Sequence, residues 1–287
     1  MWSYLRLAYY LLRPRTIFVR CATHGLGDNL LLSAVLPYLR EQNPGHKIIV
    51  ETRWPELFQN NPNADWVTDR HIKTTGRHIK PKYHVDGNTD VPIYRQIMSR
   101  VGSDREGFPE MFLAPDEIAE IEEVFPFEFA TICPKGKTTF CANRKEWGLE
   151  NFQGLRDLMP EVSFLQVGIP SDPLLKNVTD GRYLTARQTA AAMRRSHFFV
   201  GLEGGLMHLA KAVGCRAVII YGGFIRPEIS GYDENLNIYA PVDCSPCFHS
   251  DYSHDECTTM DCMKAITPEM VLERVRSEFP ECTGTGA

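Results

Sequence analysis

Short β-rich runs alternate with helical patterns along most of the chain, and this alternation limits the fold more than any other feature. Thr16-Ile17-Phe18-Val19-Arg20-Cys21 reads as a strand, Gly25-Leu26-Gly27-Asp28 as a tight loop and Asn29–Gln42 as a helix with an apolar face. Pro37 lies inside that helical pattern and is expected to kink it or to place its start late. Asn43-Pro44-Gly45 ends the helix, and Lys47–Glu51 is the next strand. Strand, helix and strand in this order imply a right-handed parallel crossover. Trp54–Gln59 reads as a short helix and Asp65-Trp66-Val67 as an edge strand. The stretch from Asp69 to Gly107 is basic and reads mostly as loop, with a helix near Pro92–Val101.

A second alternation follows the helix Pro115–Val124. Its strands are Glu128–Pro134, Val162–Gly168, Phe198–Gly201 and Ala217–Tyr221, and its helices Leu149–Met159, Thr185–Arg195, Leu206–Val213 and Thr267–Phe279. The expected architecture is α/β: a Rossmann-like domain over residues 16–125 and a second over 126–279, with parallel sheets facing a ligand cleft. Residues 280–287 form a polar tail expected to be disordered. Residues 1–15 carry an apolar run between Arg6 and Arg13 and read as an N-terminal helix. Its Trp and Tyr suit a headgroup boundary, and the competing reading docks it on the protein's own surface. No small-residue cleavage site, as a secretory signal would need, separates it from the first strand.

Composition narrows the function classes. A net charge of −5 leaves no basic excess for bulk nucleic-acid binding. No apolar run reaches the roughly 18–20 residues that span a bilayer. A cytoplasmic location follows as the expectation, with residues 1–15 a candidate peripheral contact at the inner face of the membrane. In a reducing compartment Cys21, Cys133, Cys141 and Cys215, which lie in or near apolar stretches, are expected as buried free thiols.

Three loops carry candidate chemistry. After the first strand, Gly25 and Gly27 permit close backbone approach, and Asp28 is placed to take a proton as a general base; the alternative is a helix N-cap aspartate. After the strand ending at Gly201, Glu203-Gly204-Gly205-Leu206 opens a helix. The free amides of Gly204, Gly205 and Leu206 would form an anion site suited to a diphosphate. Glu203 is better placed to accept from a sugar or ribose hydroxyl than to meet a phosphate. His208, in the same helix, reads either as a donor-site residue or as a satisfied buried histidine. The third loop, Asn143–Gly148, offers Lys145 to a diphosphate, with Arg144 as the substitute.

Cys244, Cys247, Cys257 and Cys262 form a fourth cluster, and its spacing suits tetrahedral zinc or iron. His249, Asp251, His254 and Asp255 stand nearby as further ligands or supporting groups. The competing reading is a reduced thiol cluster in an irregular loop.

Taken together, Gly27-Asp28 with its helix, Asn43–Ile48, Lys145-Glu146-Trp147, Leu184–Ala191 with Val200–Ala212, and Cys244-Ser245-Pro246-Cys247 through Cys262-Met263 make the chain resemble glycosyltransferase family 9. These are the ADP-heptose:lipopolysaccharide heptosyltransferases, of GT-B fold. The resemblance implies an inverting transfer from a nucleoside-diphosphate sugar to a surface-glycan, lipopolysaccharide or protein acceptor, without a catalytic metal. It implies Asp28 as the base, Lys145 on the diphosphate and the turn Glu203-Gly204-Gly205 around the donor; Gly27, Arg144, Leu206 and His208 are the further donor-site candidates from the residues themselves. An ADP-sugar is the donor it favours. It leaves the cysteines open, since related enzymes carry the pattern without metal while the protein-heptosylating branch binds iron through cysteines. The chain departs from the family at Glu203, where aspartate is usual, at Gly204, where a hydroxyl residue is usual, and at Ala34, where proline is common. Two other readings remain: a GT-B-like nucleotide-sugar epimerase, and a non-catalytic nucleotide-sugar-binding assembly protein.

Overall fold

A parallel strand covered on both faces reads as a continuous apolar run, and the first strand, β1 (Thr16–Arg20), meets that demand with Thr16 through Val19 all buried. The computed structural model describes residues 15–21, 23–72, 77–85, 89–138, 141–248 and 255–280. The expected helix 1–15, apart from Arg15, lies outside them, as does the tail beyond Pro280.

The chain divides into two units. The first runs up to His84 and resumes over Ile93–Leu113. After β1 come α1 (Leu26–Leu30), a 3-10 turn (Leu31–Val35) and α2 (Leu36–Gln42). The single helix expected over Asn29–Gln42 therefore starts earlier and is split in three. Pro37 occupies the first turn of α2, where its missing N–H costs nothing. β2 (Lys47–Glu51), β3 (Trp66–Thr68) and β4 (Arg77–Ile79) complete a parallel sheet of order β3-β2-β1-β4, and α3 (Ile93–Ser99) follows. The strand β4 was expected to be loop. As an edge strand it needs only one apolar face: Ile79 is buried, and His78 pairs in register with Phe18 and stacks on it at 4.9 Å.

The second unit takes Val85–Pro92 and everything from Ala114 onward. Its elements are α4 (Pro115–Val124), β5 (Ala130–Ile132), α5 (Leu149–Asp157), β6 (Phe164–Gln166), β7 (Thr179–Asp180), α6 (Ala186–Arg195) and β8 (Phe199–Leu202). These are followed by α7 (Gly205–Ala212), β9 (Ala217–Tyr221), α8 (Pro227–Ser230), β10 (Leu236–Tyr239), α9 (Asp261–Lys264) and α10 (Pro268–Glu278). The strands form one parallel sheet of order β10-β9-β8-β5-β6-β7. Local chemistry sets the helix starts. The Thr185 hydroxyl caps α6, the Thr267 hydroxyl accepts from the Met270 N–H at 3.3 Å, and Glu117 reaches back to the Ala114 N–H at 2.8 Å. One core packs Trp147, Phe152, Phe164, Phe198 and Phe279 with the aliphatic residues of β5, β8 and β9. At roughly 1.5–3 kcal/mol per buried large apolar side chain, this core dominates the unit's stability.

In each sheet the strand order reverses once, between β1 and β4 in the first and between β5 and β8 in the second. Ligands of open parallel sheets bind beyond the carboxyl ends of strands at such reversals. Among the described residues no helix is long and apolar enough to cross a membrane.

Candidate functional site

In the first unit, the loop after β1 places Asp28 in the third position of α1, whose N-cap is Gly25. Asp28 is therefore not the N-cap, and its carboxylate is engaged elsewhere. Oδ2 accepts from the Thr23 hydroxyl at 2.6 Å, and Oδ1 accepts from the Tyr83 phenol. A side chain at Gly25 would put its Cβ 2.6 Å from Asp28 Oδ2, so the carboxylate takes this position only because residue 25 is glycine. The loop itself is held by Asn29, which is fully buried. Its amide donates to the Gly25 carbonyl at 2.7 Å and the Thr23 carbonyl at 3.2 Å, and its oxygen accepts from the Thr52 hydroxyl at 2.7 Å. All its hydrogen-bonding groups are occupied, which makes it a rigid brace.

In the second unit, β8 ends at Leu202, and Glu203 and Gly204 lead into α7. Gly204 has φ +153°, a conformation L side chains rarely adopt, and no side chain caps the helix. Any residue with a side chain would be strained here. The first amides of α7 thus have no side-chain cap.

Glu203 does something the sequence reading did not anticipate: it forms an ion pair with Lys145. The side chains are 8% and 18% exposed respectively, so the pair is largely desolvated. Lys145 Nζ also lies 5.1 Å from the Phe224 ring centroid. The turn carrying Lys145 is fastened on both sides. The Asn143 amide donates to the Cys257 carbonyl at 2.9 Å and accepts from the Cys257 N–H at 2.8 Å. Beyond it, Trp147 is buried and donates to the Ile266 carbonyl at 2.7 Å. Cys141 is buried close by. Burial pushes its thiol up, with Lys145 acting against the rise and Glu203 adding to it.

His208 is 5% exposed, and its Nδ1 lies 2.6 Å from the Tyr232 hydroxyl, an arrangement that satisfies a buried histidine. Thr23, Asn29, Tyr83 and Phe224 were not singled out from sequence. Tyr83 lies 55 residues from Asp28, in the basic stretch where no periodicity marks it.

The sequence matches no protein-family profile and no curated protein. Solved structures do match. The iron-containing dodecameric glycosyltransferase TibC of enterotoxigenic Escherichia coli H10407 superposes with TM-score 0.75 at 16% identity, over 94% of this chain and 77% of that one. A family 9 glycosyltransferase from Veillonella parvula gives TM-score 0.71 at 15% identity, over 94% and 99%. E. coli ADP-heptose lipopolysaccharide heptosyltransferase II gives 0.67 at 13%, over 92% and 98%. The fold is that of the family 9 glycosyltransferases. At such identities the likeness is one of fold.

Within this GT-B fold all four clustered cysteines belong to the second unit. Cys262 is buried, Cys247 and Cys257 half-buried and Cys244 exposed. Burial pushes the Cys247 thiol up, Arg144 opposes this, and the thiols of Cys244, Cys262 and Cys257 reinforce it. At Cys257 burial acts upward, but hydrogen bonds from Met260 and Thr259 hold the thiol below its ordinary value. The four therefore share one electrostatic environment. Among the described residues, however, no group of three or more His, Cys, Asp or Glu side chains is placed to hold a metal ion. As arranged the thiols do not form the ligand set that their spacing suggests, and His249, Asp251 and His254 lie outside the described residues.

Proposed function

We propose that this chain is an inverting glycosyltransferase moving a heptose or related hexose from a nucleoside-diphosphate sugar to a surface-glycan, lipopolysaccharide or protein acceptor. The observation that carries the reading is the braced carboxylate of Asp28, on a fold shared with enzymes whose structures include complexes with ADP and ADP-heptose. Asp28 takes the proton of the acceptor hydroxyl as that oxygen attacks the anomeric carbon, and the nucleoside diphosphate leaves with the glycosidic electron pair. Lys145 and the amides of Gly204, Gly205 and Leu206 stabilise the leaving charge, with Arg144 beside Lys145. Gly27, in the first turn of α1 beside Asp28, is the remaining candidate for donor contact.

The Lys145–Glu203 pair refines this picture. Before donor binds, Glu203 neutralises a cation that would otherwise be buried alone. When the diphosphate arrives it takes over Lys145, and Glu203 turns to a sugar or ribose hydroxyl. An ADP-sugar is the favoured donor. A thermal-shift screen of ADP-, GDP-, UDP- and dTDP-sugars tests the class, because a ligand bound only by the folded state raises apparent stability. Stabilisation by one nucleotide series supports the reading; no shift with any of them sinks it.

For Cys244, Cys247, Cys257 and Cys262 the finer reading is a structural zinc or iron, outside the chemical step. Tetrahedral thiolate ligation would need their sulfurs to converge from the positions described above. Elemental analysis of the purified chain decides it: about one metal per chain, lost in Cys244→Ser/Cys247→Ser, supports the site, and a metal-free wild type removes it.

A further inference from the structure

The strand-order reversal of the second sheet lies between β5 and β8, and open parallel sheets bind ligands beyond the carboxyl ends of such strands. Glu203 leaves the end of β8 and pairs with Lys145. The chain leaving β5 supplies a second cation, which the sequence reading passed over. Lys135 stands three residues beyond Ile132, the last residue of β5. Its loop keeps to the β8 side. The Cys133 N–H donates to the Val200 carbonyl at 2.9 Å, and a side chain at Gly136 would put its Cβ 3.3 Å from Leu202 Cδ1. The Cys133 thiol in turn donates to the Lys135 carbonyl at 3.3 Å. Lys135 is thus held at the reversal, beside the end of the strand that leads into Glu203.

Lys135 Nζ forms an ion pair with Glu146, the neighbour of Lys145 in the chain. One turn carries Lys145 and Glu146, closed by the Glu146 N–H donating to the Asn143 carbonyl at 2.9 Å. The buried Cys141 thiol feels Lys145, Glu203 and Glu146 together, so these charges share one neighbourhood. Cations and carboxylates therefore alternate around the turn, as Lys135, Glu146, Lys145 and Glu203. Bracing the turn is a weak account of the Lys135–Glu146 pair. Its side chains are 34% and 27% exposed, and ion pairs open to water add little stability. The Asn143–Cys257 and Trp147–Ile266 hydrogen bonds already fasten the turn. An exposed pair has the converse property: it opens at small cost when a better anion arrives.

We infer that Lys135 is a second diphosphate-binding cation, released from Glu146 when the donor binds and taking the phosphate that Lys145 does not hold. A nucleoside-diphosphate sugar carries negative charge on each phosphate, and Lys145 with Lys135 offers one cation to each. The inference rests on the transferase reading and deepens its donor site. Glu146 is then the ligand's competitor. It neutralises Lys135 before the donor binds and turns to water, to which it is already partly open, when the diphosphate takes its place.

The two partners should therefore move ligand affinity in opposite directions, which a pair that only braces the fold cannot do. Calorimetric titration of the full chain with ADP and with inorganic pyrophosphate measures this. Lys135→Met should bind both about tenfold or more weakly than wild type, and Lys135→Arg should recover most of the loss. Glu146→Gln should bind both about threefold more tightly, since no carboxylate has to be displaced. Adenosine, which lacks phosphates, should bind all four proteins alike. Equal affinity for pyrophosphate in wild type and Lys135→Met overturns the inference. So does a Glu146→Gln that binds no more tightly than wild type, or an adenosine affinity that falls together with that for ADP in Lys135→Met. Nucleotide-sugar binding unaffected by Lys135→Met would sink the inference and leave the transferase reading standing. Pyrophosphate binding that follows the expected pattern in a chain that binds no nucleotide sugar would do the reverse, so the two failures are distinguishable.

Discussion

Removing the charge of Lys145 should cost the protein stability and donor affinity separately, and a double-mutant cycle tells the two apart. In Lys145→Met the stem volume is kept, but Glu203 is left 8% exposed and without its counter-charge. Breaking a fully buried pair costs about 3–5 kcal/mol, and an exposed one about 0–1. With the lysine 18% exposed, the expected loss lies between those limits, at about 2 kcal/mol. For a protein of this size that is roughly 4–8 °C in Tm. Glu203→Gln alone should be destabilising too. The double variant Lys145→Met/Glu203→Gln should recover much of the loss, with a coupling of at least about 1 kcal/mol, above the roughly 0.3–0.5 at which independent sites add. Donor binding should follow a different rule. Any variant lacking the ammonium should bind ADP about 10- to 150-fold more weakly, the value of a charged hydrogen bond of about 1.5–3 kcal/mol. Urea unfolding followed by circular dichroism, together with calorimetric ADP titration, measures both. Additive stability losses, or a double variant that binds ADP as tightly as wild type, would refute the reasoning.

Other perturbations follow from the same geometry. Gly25→Ala meets no backbone objection, since φ −67° and ψ 139° suit alanine. Its Cβ would displace the Asp28 carboxylate, so transfer should slow by up to about 100-fold with Tm nearly unchanged; equal loss of both would mean the loop had simply misfolded. Tyr83→Phe removes one donor to Asp28 and should slow transfer about 3- to 10-fold with donor affinity preserved, and a fall in donor affinity instead would displace Tyr83 from this role. A hydrogen bond from Arg187 holds Glu117 below its ordinary 4.5, outweighing the upward push of burial. Because the folded value is depressed, the stabilisation is complete above that ordinary value and is lost as pH falls through the lower, folded one. Acid melts of Glu117→Gln should therefore show less loss of stability below pH about 4.5 than wild type, and identical acid profiles would count against the pair.

The sequence made the second unit far more readable than the first, for reasons visible in particular residues. β9 (Ala217–Tyr221) is central, buried along its length and apolar throughout, so its bounds matched. The helix at Pro115–Val124 also matched, because proline at its first position and acidic residues in its first turn mark its start. The short edge strands β4 and β7 were missed: Arg77-His78-Ile79 and Thr179-Asp180 carry too few apolar residues to register as strands. β10 was missed as well, a four-residue strand set among turn residues. At the site, Asp28, Lys145 and Glu203 stood out because each follows a strand, in a segment that carries glycine or charge. What could not be read was which of them touch. The Lys145–Glu203 pair spans 58 residues and the Asp28–Tyr83 bond 55, and neither distance along the chain leaves a local pattern.

The central claim is acceptor-dependent sugar transfer with Asp28 as base, and the direct measurement is nucleoside diphosphate release by wild type and Asp28→Asn. Wild type should release nucleotide only when acceptor is present. Asp28→Asn should bind donor with unchanged affinity and release almost none, a loss of about 100-fold or more. Release that needs no acceptor, or an Asp28→Asn rate equal to wild type, would contradict the account.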